Sequence, residues 1–239
     1  MRWMLACCLG LLSGCPLVVS DVARGYNDRC AALLAAGQLD DAETACLRAL
    51  EHQPRYWDAL HNHGLILQVR GDRAGARRRF IEALRANNHM AQSRNQLGAL
   101  AMEDGDCVEA SAQFSEALKL VPEYLEARRN LGVCELRLQR PEAAEKTFRQ
   151  LLLTHPDNVE GLVGVGLSFA QRKDWRAALQ WFQRATERDV GDAGAWKATA
   201  SALEAMGRRD EAREALERCL LADEGKLECR EALRRIGSD

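Results

Sequence analysis

The sequence predicts an all-α fold: an elongated solenoid of stacked helical hairpins. Three observations predict it. First, small and aromatic residues recur at a fixed spacing of 34 over the 239-residue chain. Gly64, Gly98, Gly132 and Gly166 form one ladder, and Phe80, Phe114, Phe148 and Phe182 a second. Ala42, Ala76, Ala110, Ala144, Ala178 and Ala212 form a third, and Pro54, Pro122 and Pro156 fall on a fourth phase. Self-similarity at a fixed period means stacked supersecondary units. Second, alanine and leucine are abundant while proline and aromatic residues are few, a mix that favours helix over strand. Third, Gly37, Gly71, Gly105 and Gly207 sit where a helix can end in a left-handed cap. Lys+Arg 33 against Asp+Glu 35 leaves no broad basic excess for nucleic acid. Hydrophobic residues at 47% and charged residues at 28% argue against long disorder.

The first element is a leader. Met1-Arg2 carries one positive charge, Trp3 to Leu12 is almost unbroken apolar sequence, and small residues follow. That order describes a secretory signal over residues 1–14. The run is too short to span a bilayer, which needs about 20 residues, and no later stretch is apolar enough. Leu12-Ser13-Gly14-Cys15 resembles the lipobox of bacterial lipoproteins. The resemblance implies cleavage before Cys15 and acylation of its thiol and new amine. Several acyl chains give a stable anchor, since each buried methylene adds about 0.8 kcal/mol. A plain signal peptide with an incidental Cys15 is the alternative. Pro16 stands where many such proteins carry an inner-membrane retention Asp, so the resemblance implies the outer membrane, periplasmic face. Residues 15–22 then hold the lipidated Cys and a short tether. Pro16 to Val22 span at most about 25 Å.

The body follows. A period of 34 with these ladders resembles the tetratricopeptide repeat. The resemblance implies a right-handed α-solenoid of six such repeats, at 23–56, 57–90, 91–124, 125–158, 159–192 and 193–226. Each unit reads as two amphipathic helices with a turn between. The Gly and Ala ladders are small where two helices cross closely, and the Phe ladder fills the space beside the crossing. Cys30 and Ala200 replace the Gly, and Cys46 and Leu216 replace the Phe. Terminal repeats are often atypical because they cap the array. Residues 227–239 form a capping helix, LECREALRRI, and a tail.

Cysteine usage points to an exported chain. Cys7 and Cys8 leave with the leader, and Cys15 is set apart for acylation. Six remain, an even set that suggests disulfides, with 15 connectivities in principle. The repeat register brings together Cys30–Cys46, Cys107–Cys134 and Cys219–Cys229, each on neighbouring antiparallel helices at matching heights. The alternative is that some are free buried thiols, which pack well as small apolar groups. No Cys-x-x-Cys or tight Cys/His cluster suggests a metal, and no cofactor is implied.

Nothing in the chain reads as an enzyme. His61 and His63 point to different faces of a helix and cannot easily share a ligand. His52, His89 and His155 lie near unit ends, where a helix C-terminus favours positive charge. Asp40-Asp41 reads as helix capping. Arg77-Arg78-Arg79 lies near Asp72 and Glu82 and reads as a solvated face. GLVGVG at 161–166 lacks a preceding strand and a phosphate-loop lysine. No small-molecule substrate is indicated.

Function falls to the concave surface that the first helices line in this repeat family. Asn62, Gln96 and Asn130 share one groove-facing phase, and amides suit a peptide backbone because they donate and accept. Leu65, Ala99 and Val133 run beside them, then Gln68, Met102 and Leu136, with Arg129 and Arg137 adding charge. This mixed track suits an amphipathic partner segment. A lipobox, a short tether and six uninterrupted repeats together resemble the pilotins of type IV pilus secretins (the PilF, PilW and Tgl group). The resemblance implies a non-enzymatic outer-membrane lipoprotein that binds secretin subunits and promotes their multimerisation. Two alternatives stay open: a periplasmic scaffold for cell-wall hydrolases or proteases, and an accessory subunit of a barrel assembly machine.

Overall fold

A computed structural model describes residues 19–237. The expected leader, Cys15 and the start of the tether lie outside the described residues. Thirteen α-helices and no strand occur among the described residues. They are α1 (Asp21–Ala35), α2 (Leu39–His52), α3 (Trp57–Val69), α4 (Arg73–Ala86), α5 (Ala91–Glu103), α6 (Cys107–Leu120) and α7 (Leu125–Arg137). After them come α8 (Pro141–Thr154), α9 (Val159–Gln171), α10 (Trp175–Arg188), α11 (Ala193–Ala205), α12 (Arg209–Ala222) and α13 (Leu227–Ile236). Each helix packs on the next in sequence. First helices also touch across repeats, α1 on α3, α5 on α7, α7 on α9 and α9 on α11. The chain is an all-α repeat solenoid, and the mutual contact of first helices makes them its inner layer.

One device closes all six hairpins. The residue after the turn donates its N–H back to a carbonyl five residues earlier, as in Gln38 to Leu33, Asp72 to Leu67 and Arg208 to Leu203. The turn residue donates to a carbonyl three back, as in Gly37 to Leu34. Together these two bonds are the Schellman arrangement, which needs a left-handed residue at the turn. Gly37, Gly71, Gly105 and Gly207 supply it with φ of 74–84°. Repeats 4 and 5 use Gln139 (φ 56°) and Lys173 (φ 64°) instead. Asp72, Asp106 and Asp174 then cap α4, α6 and α10, accepting from Gly75, Glu109 and Ala177 N–H.

Two local expectations are corrected. Asp40 and Asp41 lie inside the first turn of α2, and the N-cap place is held by Gln38 without a side-chain bond. The acidic pair arrives two residues too late to cap, and Asp40 pairs with Arg70 instead. The tether is also shorter at its C-terminal end. Helix α1 begins at Asp21 because Ser20 Oγ accepts from Ala23 N–H at 3.2 Å.

The glycine and phenylalanine ladders meet inside each hairpin. A methyl group on Gly64 would stand 2.6 Å from the Phe80 ring, and one on Gly98 2.7 Å from Phe114. Phe148 is held from both sides, by Gly132 of its own repeat and Gly164 of the next, each leaving only 2.6 Å for a methyl group. All four ring side chains are at most 2% exposed. At that density, one extra methyl forces a ring off its rotamer.

The end repeats replace this pair. Cys30 and Cys46 occupy the glycine and phenylalanine places and form a disulfide, S–S 2.08 Å. Cys219 and Cys229 join α12 to α13, S–S 2.00 Å. Closing a loop of about 15 residues contributes about 3 kcal/mol in the chain-entropy model. The expected Cys107–Cys134 bridge is absent. Both are buried free thiols on α6 and α7, and Cys134 lies within hydrogen-bonding reach of Cys107. They fill the repeat 3–4 core beside Phe114 and Ala117 as small apolar groups. Burial first, then the Cys107 neighbour, pushes the Cys134 thiol up to about 12.

Candidate partner-binding groove

Repeats 1–3 tie polar groups of their first helices to those of neighbouring helices. Asn62 Nδ2 donates to Asn27 Oδ1 of the preceding repeat at 2.9 Å. His61 Nδ1 shares a hydrogen bond with Ser93 Oγ of the following repeat at 2.9 Å. His63 turns the other way, its Nε2 3.2 Å from Glu43 Oε1. The two histidines therefore serve opposite interfaces. Burial drives the His61 imidazole down to about 4, and burial also lowers His63, so both are neutral near pH 7. Arg77 belongs to a similar seam, since Asp104 accepts from both Arg73 and Arg77 at 2.5 Å.

The other expected groove residues of these repeats sit half-buried. Leu65 packs on the cluster around Phe80, and Met102 on the cluster around Phe114. Gln68 Oε1 is buried without a hydrogen-bond partner. Gln96 and Ala99 are partly covered on α5.

Repeats 4–6 differ. Here the inner layer opens into two joined hollows of about 720 and 440 Å³. They share Leu136, Val163, Leu167 and Gly194, so they form one groove from α7 to the start of α13. Leu136, Val163, Leu167, Ala170 and Ala198 give it an apolar lining, and Val133 adds to it at the α7 end. Polar groups stand at its ends. Arg129 pairs with Glu160 at 3.2 Å, and Lys197 with Glu228 at 3.7 Å. Concave, mostly apolar surface with a few placed polar groups is what ligand sites offer.

Five of the expected residues line this groove: Arg129, Asn130, Val133, Leu136 and Arg137. Three of them, Arg129, Asn130 and Arg137, carry internal side-chain bonds. Asn130 is 8% exposed, and its Oδ1 accepts from Arg129 Nε at 3.3 Å. Arg137 donates to the Met102 carbonyl at 3.4 Å, and one repeat later Gln171 donates to the Leu136 carbonyl at 2.8 Å. These side chains stitch neighbouring first helices together and also form the groove wall.

Val163, Leu167, Ala170, Lys197 and Ser201 extend the groove beyond the residues expected from the sequence. Their signal was present: Leu167 and Ser201 continue the Leu65–Ala99–Val133 phase, and Ala170 continues Gln68–Met102–Leu136. The amide phase ends at Asn130, with Gly164 and Ala198 after it.

Among the described residues, no three His, Cys, Asp or Glu side chains gather as metal ligands. No described helix is long and apolar enough to cross a membrane.

The chain spans nearly the full length of several solved structures. One, from a functional characterisation of Pseudomonas aeruginosa pilF, superimposes with TM-score 0.74 at 20% identity, covering 90% of this chain and 97% of that one. YrrB, described as a TPR protein with an unusual peptide-binding site, gives 0.66 at 20% identity over 80% and 98%. A tetratricopeptide repeat protein from Parabacteroides merdae gives 0.70 at 18% over 91% and 99%. No curated protein sequence matches. Tetratricopeptide-repeat family models match residues 101–163, 135–193 and 195–226. Repeats of this kind are generally non-enzymatic scaffolds that bind protein partners. Those matches cover both the groove and the cap-side hairpin, and the chain belongs to the tetratricopeptide-repeat family.

Proposed function

We propose that this chain is a lipid-anchored pilotin that helps a type IV pilus secretin multimerise. The apolar groove of repeats 4–6 carries the reading. It offers an open apolar surface between two ion pairs, suited to an amphipathic segment of a subunit not yet in its ring. The lipobox-like sequence ending at Cys15 supports an anchor that would hold the protein at the periplasmic face of the outer membrane. Fold similarity to the pilF structure along nearly the whole chain is consistent with that role. In this scheme Leu136, Val163 and Leu167 cover secretin apolar surface until subunit–subunit contacts replace them.

The test is deletion of the gene, with membranes blotted for heat-stable secretin multimer and for monomer. Multimer is lost and monomer retained if the reading holds. Leu167→Asp, at a side chain 39% exposed in the groove, reproduces the deletion without changing the melting temperature. Cys15→Ser releases the protein from membranes. Unchanged multimer in the deletion strain overturns the proposal, and capture of cell-wall hydrolases then becomes the next experiment.

A further inference from the structure

The second-helix layer carries a separate surface feature that the groove does not use. Between the end of α8 and the middle of α10, Leu152, Leu153, Pro156 and Trp181 wall a notch of about 300 Å³, with Arg149 and Arg184 at its edge. Leu153 is 82% exposed, the most exposed large apolar side chain among the described residues. The Arg184 guanidinium lies 4.4 Å from the Trp181 ring centroid, and that of Arg149 5.7 Å.

Charge at this notch is unbalanced. Glu145 pairs with both Arg149 at 2.9 Å and Arg172 at 2.5 Å. Among the described residues Arg184 forms no ion pair, and its guanidinium lies over the Trp181 face. Two guanidiniums and no carboxylate wall the notch itself, and Asp157, next to Pro156, is held by Arg188 at 2.9 Å. A guanidinium stacked on an aromatic face keeps its N–H edge free for a carboxylate. In the hollow on the other side of Leu153, Glu142 and Lys146 offset each other.

We propose that this notch docks a short acidic-apolar segment of a partner protein, one apolar side chain entering beside Trp181 and a flanking carboxylate taken by Arg184. The shape favours a peptide over a lipid surface. A notch of this volume accepts one or two side chains, whereas a planar headgroup layer would meet only the Leu153 ridge. The site is independent of the groove and stands whether or not the groove binds a secretin.

The probe is a fluorescein-labelled hexapeptide of alternating leucine and glutamate, followed by anisotropy on the full chain. It binds, and binding weakens as salt rises. The leucine–lysine counterpart binds at least about tenfold more weakly. Arg184→Glu and Leu153→Ser each weaken the glutamate peptide by about tenfold. Both residues are exposed, so the fold is retained. Arg184→Lys keeps the charge, loses the stack and falls between. The groove variant Leu167→Asp leaves this binding unchanged. Equal binding of the two peptides, or indifference to Arg184→Glu, overturns the proposal. Binding of phosphatidylglycerol vesicles with no peptide binding also overturns it, in favour of a membrane-facing surface.

Discussion

The first and second halves of the inner layer use the same repeat positions for opposite ends. In repeats 1–3, His61, Asn62 and His63 reach across to Ser93, Asn27 and Glu43, so polar groups close on one another. In repeats 4–6, the corresponding stretch of α9 is Val163, Gly164 and Val165, and the layer opens into the apolar groove. Polar groups satisfied within the fold leave little for a ligand to gain. Apolar groups left in an open groove gain by being covered. One half of the solenoid is therefore cross-linked by side-chain hydrogen bonds, and the other leaves apolar surface open.

Acid separates the two halves most strongly. His61 is held neutral by burial, with its imidazole lowered from the ordinary 6.5 to about 4. Between those values the unfolded chain binds a proton that the folded chain excludes. Its contribution is thus complete above about pH 6.5 and is lost as pH falls toward 4, by at most about 3 kcal/mol. His63 shifts in the same direction. Hydrogen exchange at pH 4.5 should show α3 to α5 opening well before α9 to α11. His61→Asn should flatten that pH dependence, and identical exchange in both halves would show that the histidine seam does not brace the first half.

A smaller effect tests whether the hairpin cores of both halves are alike. Gly98→Ala places a methyl group 2.7 Å from the Phe114 ring and should cost about 2 kcal/mol, read as a lower melting temperature. Repeat 6 holds Ala200 and Leu216 at the same two phases, both buried. Adding Phe114→Leu to Gly98→Ala should therefore restore part of the loss. No recovery would mean that the repeat 6 pair depends on its own surroundings.

The smallest effect concerns the turns that only repeats 4 and 5 build without glycine. Lys173 sits at φ 64°, a left-handed conformation that side chains other than glycine resist. Lys173→Gly should stabilise by at most about 1 kcal/mol, since relief of strain is offset by a more flexible unfolded chain. The corresponding change in the first half, Gly71→Lys, should destabilise by a similar amount.

The sequence by itself determined the repeat. A strict period repeats the same packing problem, and glycine against phenylalanine is a solution that residue size alone reveals. It also placed four of the six turns, because a left-handed residue is usually glycine. Gln139 and Lys173 escaped that rule because the two Schellman hydrogen bonds hold them in place. Only the tertiary structure decided where the inner surface is open. Whether a polar side chain is available depends on its neighbour a full repeat away: Asn62 is engaged by Asn27, and Arg137 by the Met102 carbonyl. The thiols of Cys107 and Cys134 show the same limit. Register places them side by side, but whether two buried sulfurs bond or pack as apolar groups depends on their surroundings, which the chain settles only when folded.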